Sequence, residues 1–277
     1  MSEGWQHMAH ITSLYGGFYH TAVAILGLLM GSFLNVVVYR LPLMIQNSGA
    51  PAGSRFNLSF PASHCPACKH SLKYWQNIPL LSWLLLRGRC HYCGIAISKR
   101  YPFTEIICAA LFLGISFLFV TPVSLVSALL LFWFLLALSL IDLATYLLPD
   151  RLTLPLLWAG LLIHSVSGNV SLQDSVYGAA AGYIALWTLY WGVKLVSGKD
   201  GMGYGDFKLL AALGAWVGWQ MLPCLCILAA LTGIVFALIR VVFYKLSGQI
   251  PFGPCLALAG ALVYISQESK TLWLMFS

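Results

Sequence analysis

Acidic residues are scarce in this chain. It has eight Asp and Glu among 277 residues, and charged residues of both signs make up 8%. A soluble domain carries about 25%, so the composition excludes a soluble enzyme with a single anchor. Lys and Arg are missing altogether from Met1 to His20. The basic n-region of a signal sequence is therefore absent, and no cleavable signal peptide is expected. No internal repeat and no low-complexity segment is evident. What is abundant is apolar: 60% of residues are hydrophobic. Most of the length is available for spanning helices of about 20 residues each. The expected class is an all-α polytopic membrane protein with a small extramembrane loop domain.

Apolar runs and their breakers predict eight spans, at about 19–39, 103–120, 124–146, 152–167, 176–196, 207–219, 222–243 and 252–267. The breakers include Thr121-Pro122, Leu148-Pro149-Asp150, Ser167-Gly168-Asn169, Ser197-Gly198-Lys199-Asp200-Gly201 and Pro251-Phe252-Gly253-Pro254. The sixth span is short, and its border with the seventh is the least sharply marked. Three regions follow: 1–42 with the first helix, 43–100 as an extramembrane domain, and 101–277 as a seven-helix membrane domain.

The fifteen basic residues are unevenly placed. Arg40, Arg55, Lys69, Lys73, Arg87, Arg89, Lys99 and Arg100 fall between spans one and two. Arg151 falls between three and four, and Lys194, Lys199 and Lys208 between five and six or at their ends. Arg240 and Lys245 fall between seven and eight or at their ends, and only Lys270 is on the other side. The positive-inside rule then puts both termini outside and residues 43–100 in the cytoplasm. The net charge of +7 is explained by topology and anionic-lipid contact, not by nucleic acid.

Eight cysteines are present. Cys108, Cys224, Cys226 and Cys255 lie in apolar segments and are expected to be small buried hydrophobes. The other four form two pairs, Cys65-Pro-Ala-Cys68 and Cys90-His-Tyr-Cys93, with 21 residues between them. Two such pairs complete a tetrahedral four-thiolate zinc site, slightly longer in spacing than the usual ribbon. A closed thiolate shell leaves no position for water, so the zinc would be structural. A reducing cytoplasm disfavours disulfides. His64, His70 and His91 flank the cysteines and are expected to be solvated loop residues.

Asp142 and Asp206 each stand at the edge of an apolar span. A carboxylate there is costly and by default marks function. The topology puts both near the cytoplasmic face. Two carboxyl groups sharing one proton can activate water for peptide hydrolysis. The glycines of Gly203-Tyr-Gly205-Asp206 remove bulk beside the second acid. No strand precedes them and no Lys-Ser or Lys-Thr follows, so no nucleotide fingerprint fits. Asp206 has a competing role as a helix N-cap; Asp142, ahead of a helix end, has none. Lys208 either acts on Asp206 or anchors its helix at the interface by snorkelling.

These motifs in order resemble the type IV prepilin peptidases, bifunctional leader peptidase and N-methyltransferase enzymes. The likeness runs through Gly31-Ser-Phe-Leu-Asn-Val-Val-Val-Tyr-Arg-Leu-Pro42, the paired cysteine loop and Arg100-Tyr-Pro-Phe-Thr-Glu105. It continues with Asp142, Leu148-Pro-Asp150, Gly203-Tyr-Gly-Asp206-Phe-Lys208 and Pro251-Phe-Gly-Pro254. The Gly-x-Gly-Asp element alone is shared with archaeal preflagellin peptidases and presenilins; the ordered set is specific. The resemblance implies that Asp142 and Asp206 are catalytic, with Asp150 a weaker candidate. It further implies cleavage of a basic leader from prepilins or pseudopilins at the cytoplasmic face of the inner membrane, and methylation of the new N-terminus by S-adenosylmethionine. Asn35, Arg40 and Glu105 are polar groups in or beside the first two spans. They suit either a cofactor pocket or helix packing and interface anchoring, and Glu105 is also an acid available to a basic leader. The competing classes are another intramembrane aspartyl protease, which the cysteine loop disfavours, a cation or proton-coupled transporter, and a membrane scaffold.

Overall fold

The computed structural model describes residues 2–46, 56–119, 121–167, 170–198, 202–244 and 250–276, with side chains except at 2–15, 167, 244 and 269–276. Arg55, Lys199 and Lys245 lie outside the described residues, as does the side chain of Lys270. Nine α-helices are present among the described residues: α1 Ser2–Gln46, α2 Leu81–Leu85, α3 Arg100–Leu118, α4 Pro122–Thr145, α5 Asp150–Ser167, α6 Leu172–Ser197, α7 Tyr204–Val217, α8 Leu222–Tyr244 and α9 Gly253–Phe276. No strand occurs among them. Five helical segments are long and apolar enough to cross a membrane: Gly16–Gln46, Arg100–Leu118, Pro122–Thr145, Leu172–Ser197 and Trp219–Phe243. The chain is therefore a multi-pass helical membrane protein. The other three expected spans are also helices, α5, α7 and α9, which do not reach that measure among the described residues. The expected sixth and seventh spans are separated by a short 3-10 turn, Trp219–Met221.

The chain divides into two compact units, Met1–Leu129 and Leu130–Ser277. In the first, α1 packs along α3. Gly27 and Gly31 give α1 a small-xxx-small face, the pattern that lets helix backbones approach in an apolar medium. A side chain at Gly27 would meet the Ala109 backbone at 2.7 Å, and one at Gly31 the Glu105 backbone at 2.7 Å.

The second unit is built around α7, which α5, α6 and α9 contact. From Leu209 to Val217 every residue of α7 is buried. A helix apolar on all sides belongs in the middle of a bundle. At 14 residues it rises about 21 Å, short of the roughly 30 Å hydrocarbon thickness. Its C-terminal carbonyls therefore cannot rely on water, and leaving them bare would cost several kcal/mol each. Each has a partner. Ser175 of α6 donates to Ala215 O, His164 of α5 places Nε2 2.8 Å from Trp216 O, and Gln267 of α9 donates to Val217 O at 2.9 Å. Gly218 closes the helix through its N–H to Gly214 O at 2.9 Å, in a left-handed backbone (φ +77) that suits glycine.

The α6–α7 contact is closest where Gly178 faces Gly214. A Cβ on either would strike the backbone of the other, and backbone cannot yield as a flexible side chain can. Gly214→Ala should destabilise the protein by about 1–3 kcal/mol. The check is a lowered thermal midpoint in detergent; an unchanged midpoint would mean that this contact is not tight.

Candidate functional site

Asp142 lies in the last turn of α4. The helix ends directly after it: Tyr146 turns into the left-handed region (φ +56) and its N–H bonds back to Asp142 O at 2.9 Å. The chain then runs through Leu147-Leu148-Pro149 to the start of α5. Leu148 fills the space two glycines leave. A Cβ on Gly205 would sit 2.7 Å from Leu148 Cβ, and one on Gly253 3.1 Å from Leu148 Cδ2.

Gly253 opens α9. Its backbone N–H donates to Asp142 Oδ2 at 2.9 Å, within a buried environment. A side chain there would come within 2.7 Å of that same oxygen. Only glycine allows the amide so close. The sequence singled out Pro251-Phe-Gly-Pro254 as a motif without assigning it a task, because an amide that serves as a donor leaves no trace in residue type beyond the glycine.

Asp206 lies in the first turn of α7. Gly203, not Asp206, is the N-cap, so the capping role open from sequence is not the one it takes. Its backbone N–H bonds to Gly203 O at 3.1 Å, and its Oδ2 would lie 3.7 Å from a Cβ placed on Gly203. Asp142 is 4% exposed and Asp206 8%. Both are therefore held out of water, and they interact electrostatically with one another. Cys255, two residues beyond Gly253 on α9, is buried. Elements distant in sequence thus bring two buried carboxyl groups to one place, with the Gly253 amide donating to one of them.

Asp150 and Lys208 are elsewhere. They pair with each other, Lys208 Nζ lying 2.7 and 2.8 Å from the two Asp150 oxygens. Lys208 does not face Asp206, because residues two apart on a helix point to different sides.

In the first unit the four loop cysteines come together. Their sulfurs all lie within 4.8 Å of one another, and Cys65 Sγ is 3.8 Å from Cys93 Sγ. Tetrahedral zinc with about 2.3 Å bonds requires sulfurs about 3.8 Å apart, so the donor set fits zinc. The two turns are equivalent. Cys65 N–H bonds to His70 O at 3.0 Å and Lys69 N–H to Cys65 O at 2.9 Å; Cys90 N–H bonds to Ile95 O at 2.8 Å and Gly94 N–H to Cys90 O at 3.0 Å. Lys69 (φ +58) and Gly94 (φ +69) both take the left-handed conformation, and isolated bridges His64–Ser71 and Arg89–Ala96 close both turns. This local repeat escaped the sequence because its side chains differ. Backbone N–H groups of Cys68 and Ala67 face the Cys65 sulfur and lower its pKa, while burial and the neighbouring thiols raise that of Cys93.

The histidines beside the cysteines are not in the cluster. His70 stacks on Tyr92 (3.7 Å), His91 sits edge-on to Trp75 (5.8 Å), and His64 Nδ1 is 3.1 Å from Ala62 O. Of the scattered cysteines, Cys108 and Cys255 are buried as expected, while Cys226 is intermediate and Cys224 is exposed. Cys224 is near the start of the apolar α8, where an outward thiol suits a lipid-facing surface.

Asn35, Arg40 and Glu105 have partners of helix packing and loop anchoring. Asn35 donates to Tyr101 O at 3.2 Å and accepts from Thr104 Oγ1, joining α1 to α3. Arg40 donates to Asn57 O, Leu58 O and Pro61 O at 3.0, 3.3 and 2.7 Å. Glu105 accepts the Leu80 N–H at 2.8 Å. One basic and one acidic group thereby fasten the cysteine loop to the two helices of its unit.

Residues 25–119 match the bacterial peptidase A24 N-terminal domain, and residues 129–238 match the type IV leader peptidase family. The chain is 48% identical to the prepilin leader peptidase/N-methyltransferase of Aeromonas salmonicida strain A449, over 92% of this chain and 93% of that protein. It is 50% identical to the protein of that name in Stutzerimonas stutzeri, over 85% and 86%, and 49% identical to that of Dickeya chrysanthemi, over 87% and 90%. No solved structure matches it. Identity near one residue in two, sustained through both matched domains, shows that the chain belongs to the prepilin leader peptidase/N-methyltransferase family.

Proposed function

We propose that this protein removes the basic leader from type IV prepilins or type II secretion pseudopilins and then methylates the new N-terminal residue, with Asp142 and Asp206 as the peptidase pair. The observation that carries the assignment is the joint burial of these two carboxyl groups, one of them held by the Gly253 amide. Like charges at close range push two acids apart in titration, so that one stays ionised while the other keeps a proton. The ionised member takes a proton from the attacking water. The protonated member donates a hydrogen bond to the scissile carbonyl oxygen as it becomes negative. Which acid takes which part belongs to the pair. S-adenosylmethionine, when bound, supplies the methyl group that the new amine accepts.

In this reading residues 43–100 are a cytoplasmic zinc-binding domain between the first helix region, 1–42, and the membrane peptidase domain, 101–277. The distribution of Lys and Arg supports an inner-membrane protein with both termini in the periplasm. Cys65, Cys68, Cys90 and Cys93 hold the zinc as a closed structural site.

The test is to incubate the purified protein with a prepilin and labelled S-adenosylmethionine and to read the product N-terminus by mass spectrometry. Cleavage and methylation are expected. An uncleaved, unmethylated product from folded protein would overturn the reading. Asp142→Asn and Asp206→Asn should each lower cleavage by at least about a hundredfold; normal cleavage by either would remove that acid from the mechanism. Gly253→Ala should displace Asp142 and slow cleavage by about tenfold or more, with binding of the prepilin little changed. A full rate in that variant would show that the amide contact is dispensable. Replacing Cys65 and Cys90 by Ser should release about one zinc per chain, measured by elemental analysis, and make the loop easier to cut with a protease. A stable variant that still cleaves but no longer methylates would argue against a purely structural metal.

A further inference from the structure

Between α6 and α8 runs an open groove of about 990 Å³, with the buried Leu210 of α7 and Leu256 of α9 beneath it. All its lining residues belong to the second unit. Neither the carboxyl pair nor the zinc cluster uses it. Both walls are apolar spans, and of the five such segments these two are the least buried inside the protein. The groove therefore opens into hydrocarbon. Along α6 it extends from Ala185 to Ser197, a rise of about 18 Å.

The groove adjoins the residues that set the two acids. Met202 directly precedes Gly203, the N-cap of α7. Leu210 is one turn beyond Asp206 on that helix, on the same face. Phe252 directly precedes Gly253, whose amide donates to Asp142.

The chemistry of the lining decides what fits. Its hydroxyls are already committed to their own helix: Thr188 Oγ1 donates to Ile184 O at 2.8 Å, and Ser197 Oγ to Val193 O at 2.7 Å. Apart from the Cys226 thiol, the other lining side chains are apolar. A polar cofactor or a basic leader would find no partner for its charges there. The walls carry small residues, Ala185 and Gly192 on α6 and Cys226 and Ala230 on α8, which let the backbone of another helix approach. Gly192 is the sharpest case. Glycine weakens a helix interior. Gly178 and Gly182 of the same helix are explained by the α7 backbone packed against them, but a Cβ on Gly192 would meet no atom within 4 Å among the described residues. A peptide segment lying in hydrocarbon must satisfy its own backbone, which makes the fitting partner an apolar helix.

We propose that this groove docks the apolar helix of the substrate on the side of the scissile bond that is retained, with about twelve of its residues against α6 and α8 and the leader beside the carboxyl pair. The basic leader does not suit the groove, so the retained part of the prepilin or pseudopilin fills it. This rests on the peptidase reading and deepens it, giving the enzyme a contact with the part of the substrate that it does not remove.

The experiment measures prepilin cleavage by wild type, Gly192→Leu and Gly114→Leu in bilayer discs, each checked for folding by its thermal midpoint. Gly114, on α3 of the first unit, is equally open and controls for the added side chain. Gly192→Leu is expected to raise KM at least about fivefold with kcat within about twofold of wild type, the pattern of lost ground-state binding. Gly114→Leu should match wild type. A second measurement places a photoreactive benzophenone residue at Val193, in the groove, or at Ile184, exposed outside it. Light should join position 193 to the retained part of the prepilin and position 184 to lipid. An unchanged KM in folded Gly192→Leu, an equal rise in Gly114→Leu, or crosslinks from position 193 to lipid or leader only overturns the dock and leaves the peptidase reading standing. If Gly192→Leu does not fold, the crosslinks decide alone. A folded wild type that does not cleave overturns the peptidase reading and the dock together.

Discussion

A carbonyl that ends a helix inside hydrocarbon has no water to turn to, and the second unit is arranged around that constraint. Helix α7 is too short to reach both faces of a bilayer and too apolar to sit at its surface. It stays in the middle because three neighbouring helices each lend a polar side chain to one of its last carbonyls, Ser175 to Ala215, His164 to Trp216 and Gln267 to Val217. The Gly178–Gly214 contact sets its distance from α6. With its far end fixed by three hydrogen bonds and its flank by backbone contact, the near end of α7, which carries Asp206, has little freedom.

The same economy of bulk governs the other acid. Asp142 is reached by an amide only because residue 253 has no side chain. Leu148 fills the gap that glycines 205 and 253 leave between them. The linker after α4, the entry to α7 and the start of α9 thus share one apolar plug. The motifs that contain these residues are far apart in the chain. They are neighbours through this packing, and the chemistry of a buried acid pair depends on it.

Much of this was legible in the sequence. The helices follow the apolar runs, with borders within a few residues for α4, α5, α6 and α8, because Pro, Gly and polar breakers stop a helix wherever they fall. The cysteine cluster was legible because metal chemistry fixes both residue type and spacing. The two aspartates stood out because an apolar chain has few reasons to contain them. Backbone roles were hidden. The Gly253 amide, the αL turn at Tyr146 and the hydrogen-bond repeat of the two cysteine turns depend on main-chain atoms that every residue carries. The partners of Arg40 and Glu105 were hidden for a related reason. A polar side chain at a helix end reads the same in sequence whether it binds a ligand or ties down a loop. Here both do the second.

The matching hydrogen bonds of the two cysteine turns make them two like halves of one four-sulfur cluster. Each half supplies two sulfurs and neither can close the coordination shell alone. A metal held by this cluster would join two halves of one chain, each present to the other at high effective concentration because the stretch between the turns is short. The affinity of such a site follows the span between its halves as much as the identity of its ligands. Lengthening the connection between Cys68 and Cys90 would weaken the metal without touching a single atom that binds it.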